Sequence, residues 1–214
     1  GSFGWTPARK ESLDEEILRP ADNPFDKEGG LRVVDGNIGR AIVKVSAVEE
    51  EHYVVEAPAK VFATQGEFTE AFNAGELEQD FVAVLPWQGP KANGMPELHK
   101  LTPYLGVLQN RGFKVALLTD GRMSGASGKV LAAIQVTPEA VDDGVIGRIK
   151  DGDIVRVDAV GGVLTVSADD DPAQREPVTR DLSEGHYGMG RDLFATFRQS
   201  VSGAESGGSI FSRD

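Results

Sequence analysis

The chain has 214 residues, and its 22 Lys and Arg against 34 Asp and Glu give a formal charge of −12. That balance argues against a nucleic-acid or anionic-membrane binder, because phosphate neutralisation supplies most of such affinity. With no cysteine, the chain can carry no disulfide, thiol nucleophile, thiolate zinc site or iron–sulfur cluster on ligands of its own. No apolar run is long enough for a transmembrane helix. Gly1 and Ser2 open the chain without a Met and read as a scar of tag removal, so a longer parent protein is expected.

Residues 1–30 are polar and punctuated by Pro7, Pro20 and Pro24, and read as an amino-terminal extension or linker. Ser12 and Glu15 have the spacing of a capping box, which predicts a short helix ending before Pro20. From residue 31 the texture becomes short β-rich runs. Strands are expected at 31–35 and 41–45 around Gly36-Asn37-Ile38-Gly39, and β-like pieces at 52–57 and 60–64. Phe68, Ala71 and Phe72 set a helical period over 66–77. The unbroken apolar run 81–85 predicts a buried central strand.

A Gly/Pro-rich loop covers 86–96, and a helix is expected over 96–109 on the stripe Leu98, Leu101, Leu105 and Leu108. Pro103 inside it implies a kink or a late start. Residues 113–118 read as a second buried strand and 119–128 as a glycine-dense loop. The period does not settle 130–136. Thr137-Pro138-Glu139 has the form of a helix cap with proline at the first helical position. Residues 154–157 and 163–166 alternate in period 2 about Gly161-Gly162, which predicts a hairpin. An amphipathic helix is expected over 188–201, from Met189, Leu193, Phe197 and Val201. The tail 202–214 is rich in Gly and Ser and is expected to be loose. The whole reads as a β-rich α/β mixture with four or five helices, its domain spanning 31–201.

Three loops carry groups suited to chemistry. The densest runs from Thr119 to Lys129. Its glycines Gly121, Gly125 and Gly128 allow close approach of a ligand, and Asp120, Arg122, Ser124, Ser127 and Lys129 surround them. Successive N–H groups in such a loop can form an anion nest. It is no Walker A loop, because Met123 and Val130 stand where Gly and Ser or Thr are required, and neither serine has the glycines of a nucleophile elbow. In the second loop, 87–97, Glu97 is placed either against a helix dipole or as a ligand for a hard cation such as Mg²⁺. The third, 35–40, reads as a hairpin turn with Arg40 at its end. His52, His99 and His186 have no metal-ligand spacing.

Together these loops resemble the dihydroxy-acid and sugar-acid dehydratases. The loop beginning at Thr119 and running through Ser124 matches the family's TDGRxSG, and Gly94 to Glu97 match GMPE. Gly36-Asn37 with residues 41–44, and residues 57–62, match two further family segments. The ending, from Gly188-Met189-Gly190-Arg191 through Arg198-Gln199 to Ala204-Glu205, is similar to the phosphogluconate branch. Ala126, where relatives often carry Thr, and the absence of Ala-Pro in 36–41 both favour the sugar-acid side.

The resemblance implies a swivelling β/β/α domain, barrel-like with flanking helices. It also implies a cytoplasmic hydro-lyase that removes water from 6-phosphogluconate, an Entner–Doudoroff step, or from another dihydroxy or sugar acid. Ser124 would be the base and Glu97 the metal-binding carboxylate. An iron–sulfur cluster and a divalent cation such as Mg²⁺ would serve the full-length enzyme, the cluster held by an amino-terminal domain. Neither is expected to bind stably to this fragment, which is expected to be inactive alone. The full-length protein is expected to be a homodimer acting on a sugar-acid phosphate. Arg122, Lys129, Arg40 and Ser127 are candidates for contacting substrate, a placement made from their chemistry. Asp120, Gly121, Gly125 and Gly128 are candidates for loop geometry and oxyanion stabilisation. A non-catalytic anion-binding module is the alternative from another functional class.

Overall fold

A computed structural model describes residues 1–25, 27–123 and 128–211. Its centre is a closed eight-stranded barrel. The strands are β1 (Leu31–Gly36), β2 (Gly39–Lys44), β3 (Val54–Val61), β4 (Phe81–Leu85), β5 (Val115–Thr119), β6 (Leu131–Thr137), β7 (Ile154–Asp158) and β8 (Val163–Ser167). Around the barrel they run β1-β2-β6-β5-β4-β3-β7-β8, and β1 closes on β8 through Asp35 and Val163. Strands β3, β4, β5 and β6 are mutually parallel, so their carboxyl ends open at one rim.

Two apolar cores explain the unbroken hydrophobic runs. Along β4 and β5, Val82, Val84, Ala116 and Leu118 fill the barrel. Phe81, Ala83, Leu85, Val115 and Leu117 point outward to a second core. That core is built with α1 (Gln65–Asn73) and α3 (Leu101–Asn110), through Phe68, Leu101, Leu105 and Leu108. An eight-stranded barrel is just wide enough for side chains to fill it. A strand packed on both faces loses its alternation of polar and apolar residues.

The β-like pieces at 52–57 and 60–64 are one strand, β3. Pro58 marks where it changes partner: Val54 to Pro58 pair antiparallel with β7, and Ala59 to Val61 pair parallel with β4. A residue without N–H suits that switch. The undecided run 130–136 is strand β6, because Leu131 and Ala133 face the barrel and Ala132 the outer core. The helix expected from Pro96 begins at Leu101, which leaves Pro103 in the first turn, where its missing N–H costs nothing. The first hairpin has a two-residue turn. The Asn37 side chain pairs with β8 as a strand would, donating to Val166 O at 2.7 Å and accepting from Val166 N at 2.8 Å.

Three expected helices are shorter or differ. Near the amino terminus, Asp14 rather than Ser12 caps a single turn, accepting from Glu16 N at 2.9 Å. Thr137-Pro138 is a cis peptide followed by one 3₁₀ turn, Ala140–Asp142, not a helix with proline at its first position. Within 188–201 only Ala195–Ser200 (α4) is helical, and Met189 and Leu193 are exposed. A six-residue helix is too short to stand without packing. Among the described residues, no helix is long and apolar enough to cross a membrane.

Candidate functional site

Parallel pairing of Leu85 with Thr119 brings the loops that follow β4 and β5 side by side. Thr119 Oγ1 donates to Leu85 O at 2.7 Å and accepts from Gly121 N at 3.0 Å, which starts the second loop in a fixed direction. Gly121 lies so close to the first loop that a Cβ there would stand 2.6 Å from Gln88 Cβ. Farther along, Glu97 and Arg122 form a parallel β-bridge, and Leu98 N donates to Arg122 O at 3.2 Å. The two sequence motifs singled out by resemblance, at 94–97 and from 119 onward, are thus joined along their backbones.

The two carboxylates of this region point in opposite directions. Asp120 is fully buried and turned inward. Its carboxylate accepts from Trp87 N at 3.1 Å, Gln88 N at 2.8 Å and Ala140 N at 2.9 Å. Burial pushes its carboxyl above the usual range, and the three N–H bonds offset only part of that. Beside it Glu139, also buried, accepts from Lys91 N and Ala92 N, each at 3.2 Å. These are first-turn donors of α2 (Pro90–Asn93), left without intrahelical partners. Glu139 is likewise pushed up, by burial first and then by the charges of Asp120 and Asp142. Any side chain at Gly89 would collide with it, since a Cβ there would lie 2.2 Å from Glu139 Oε2.

Glu97 faces outward. Arg122 Nη1 donates to Glu97 Oε2 at 2.9 Å and Arg122 Nε to Met95 O at 2.8 Å, with half of the Arg122 side chain exposed. Gln65, at the start of α1, donates to Glu97 O at 3.3 Å. Backbone strain collects here. Of four non-glycine residues with positive φ among the described residues, Trp87 and Met95 lie in the first loop, and Gln135 donates its N–H to Gly121 O at 2.8 Å. Such conformations cost about 1–3 kcal/mol each and persist where surrounding structure imposes them.

The remaining candidates are not all gathered at this point. Ser124, Gly125 and Ser127 lie outside the described residues; before them, Met123 accepts a hydrogen bond from Thr102 Oγ1 in the first turn of α3, at 2.9 Å. Lys129 lies by the other end of α3, its carbonyl accepting from Gln109 Nε2 at 3.1 Å. Gly128 is buried against the stem of Lys44. Arg40 stands at the β1–β2 turn, held by Asp35 at 2.9 Å and by Glu205. Glu139, Gln65 and the strained Trp87 escape sequence reasoning. Glu139 reaches Lys91 and Ala92 from more than forty residues away, and no local spacing signals that.

Among the described residues no three His, Cys, Asp or Glu side chains cluster as a metal site. Mg²⁺ demands six oxygens, and Glu97 supplies two at most. The donor chemistry therefore fits one carboxylate of a shared site, not a complete cage.

Strained loops at the carboxyl ends of parallel strands, with a partly exposed carboxylate paired to a guanidinium, mark one rim of a β-rich α/β barrel domain. More particularly, the chain belongs to the family described as dihydroxy-acid/6-phosphogluconate dehydratase C-terminal, which matches residues 16–208. It is 58% identical over 211 residues to the phosphogluconate dehydratase of Pseudomonas aeruginosa, covering 99% of this chain and 35% of that protein. To the Escherichia coli K12 phosphogluconate dehydratase it is 52% identical over 208 residues, 97% of this chain and 34% of that protein. To the dihydroxy-acid dehydratase of Halothermothrix orenii it is 36% identical over 216 residues, 96% of this chain and 37% of that protein. The chain therefore spans about a third of the length of these relatives.

Proposed function

We propose that this chain is the carboxy-terminal part of a hydro-lyase that dehydrates 6-phosphogluconate to 2-dehydro-3-deoxy-6-phosphogluconate. The choice of substrate is supported by 58% identity to a phosphogluconate dehydratase against 36% to a dihydroxy-acid dehydratase. The observation that carries the reading is the backbone bridge between Glu97 and Arg122, which holds both motif loops at one rim.

In the proposed reaction a proton leaves C2 and hydroxide leaves C3, and the enol becomes the keto acid. A divalent cation and an iron–sulfur cluster, when bound, would supply electrophilic stabilisation of the enolate and of the leaving oxygen. Glu97 would hold the cation by one carboxylate. Arg122 keeps that carboxylate oriented and has a half-exposed guanidinium able to turn toward an anionic ligand. Ser124 would take the C2 proton. A neutral serine is far too weak a base, so the role requires its alkoxide in cationic surroundings. The cluster ligands would come from an amino-terminal domain of the same protein, two copies of which would associate, in the cytoplasm. Ser127 and Lys129 remain candidates for substrate contact. Gly121, Gly125 and Gly128 remain candidates for close backbone approach. Asp120 supports the loop from beneath.

The test is turnover. The full-length protein is expected to dehydrate 6-phosphogluconate, and the 214-residue chain alone is not. Ser124→Ala in the full-length protein is expected to leave cluster content and the folded spectrum unchanged while abolishing turnover. Dehydration by the isolated chain, or normal kinetics of the serine variant, overturns the assignment.

A further inference from the structure

We propose that the cavity between α2 and the carboxy-terminal segment binds the phosphate end of the substrate, with Arg198 as its cation; this rests on the reading of the chain as a phosphogluconate dehydratase domain. The cavity has a volume of about 890 Å³, within the size range of small-molecule sites. Its walls include Gly94 and Met95 from the Glu97 loop, Arg191 and Arg198, and Phe194 and Phe197. Among the described residues no carboxylate lines it, although the chain as a whole carries a charge of −12. A dianionic ester is repelled by most of such a surface and is drawn to a cation such as Arg198 that no described carboxylate pairs. The phenylalanines lower the local dielectric and strengthen that attraction.

Of the cations proposed earlier, Arg122 pairs with Glu97 and Arg40 with Asp35 and Glu205, and Lys129 lies by the far end of α3. Arg198 differs. It donates from Nη1 to Arg191 O at 3.0 Å, and no carboxylate pairs with it among the described residues. Its stem packs over Gly94, where a Cβ would meet Arg198 Cδ at 3.7 Å. Residues 94 and 97 are three apart, so their Cα atoms lie within about 11 Å. The cavity therefore adjoins the Glu97 loop, and Met95 in its wall accepts from Arg122 Nε at 2.8 Å.

The cavity wall is also tied to the scaffold. Arg191 donates to Asn93 O at 3.2 Å and to Asn93 Oδ1 at 2.5 Å, and Asn93 Nδ2 donates to Gln88 Oε1 at 3.1 Å. Gln88 N in turn donates to Asp120. Arg191 is thus a positioning residue, and Arg198 the ligand-facing one.

The experiment compares full-length wild type with Arg198→Ala and Arg198→Lys, checked for folding by near-UV circular dichroism. Inorganic phosphate is titrated by calorimetry, and steady-state kinetics are run on 6-phosphogluconate and on gluconate. Removing a charged hydrogen-bond donor is expected to weaken phosphate binding about 10- to 100-fold. It is also expected to reduce the preference in kcat/KM for the phosphorylated acid by a similar factor, and Arg198→Lys should recover part of both. Phosphate binding unaffected by Arg198→Ala, or equal losses of kcat/KM for the two acids, overturns the subsite. A wild type that binds phosphate through Arg198 but dehydrates neither acid overturns the functional reading and leaves the anion site standing.

Discussion

Asp120 and Glu97 lie in neighbouring loops at the same barrel rim, yet they are built for opposite ends. Asp120 has both oxygens committed to three backbone N–H groups and is sealed from water. Glu97 meets a half-exposed arginine that can swing away. The first carboxylate is a strut that joins three chain segments; the second is partly exposed and paired with a side chain. The contrast teaches that a carboxylate beside a site is placed by its partners and not by its proximity. Buried backbone donors make Asp120 scaffold, whereas Glu97 is met by the side chain of a half-exposed arginine.

The comparison can be broken most severely at Asp120. Asp120→Ala strands three buried donors and is expected to cost roughly 3 kcal/mol or more in urea unfolding. Asp120→Asn, which keeps one acceptor oxygen, should cost less. If Asp120→Ala unfolds with the wild-type midpoint, the strut assignment fails.

A second large effect is expected away from the rim, where Arg175 clamps Asp153 through Nη1 to Oδ2 at 2.5 Å and Nη2 to Oδ1 at 2.9 Å, both side chains almost fully buried. Breaking such a pair from one side costs about 3–5 kcal/mol. The pH dependence should separate the two kinds of buried acid. Burial pushes Asp153 up, but the hydrogen bonds from Arg175 and Lys150 N outweigh it and hold the carboxyl below its usual range. Its contribution is present above the ordinary carboxyl pKa of about 4 and is lost as pH falls through the lowered native value. The cost of Asp153→Asn should therefore shrink in acid.

Glu139 behaves in the reverse sense. Its native value is raised, so the penalty for ionising it is absent below about pH 4 and grows as pH rises through that native value. The stability gap between Glu139→Gln and wild type should narrow with rising pH. A gap that widens over this range removes burial as the dominant influence on Glu139.

The smallest stability effect belongs to Glu97. Glu97→Gln weakens a partly exposed ion pair with Arg122 and should change unfolding by about 1 kcal/mol, the least of these variants. It should nevertheless lower turnover of the full-length protein severely, if the proposed metal role holds. A variant as active as wild type would remove Glu97 from the proposed metal role.

Strands β4 and β5 were readable because each is a short apolar run bounded by turn residues, and the late hairpin because period 2 survives where one face meets water. The motif loops were readable because residue identity alone marks them. The end of 188–201 was misread as one long helix: the spacing of Met189, Leu193 and Phe197 is helical, but Met189 and Leu193 have no core to pack against, and periodicity without burial does not hold a helix. The 137–139 segment was misread because a cap-like triplet looks the same before a helix and before a single turn.

By itself the sequence determined the β-rich class, the two buried strands, the family, and the identity of the residues that could do chemistry, since these depend on composition and local order. Tertiary structure alone decided that the strands close into a barrel, that Glu97 meets Arg122, that Asp120 turns inward, and that Glu139 reaches α2 from a distant segment. Those outcomes are contacts between residues far apart in the chain. Their energies come from burial and from satisfying backbone donors across strands, which no local pattern encodes.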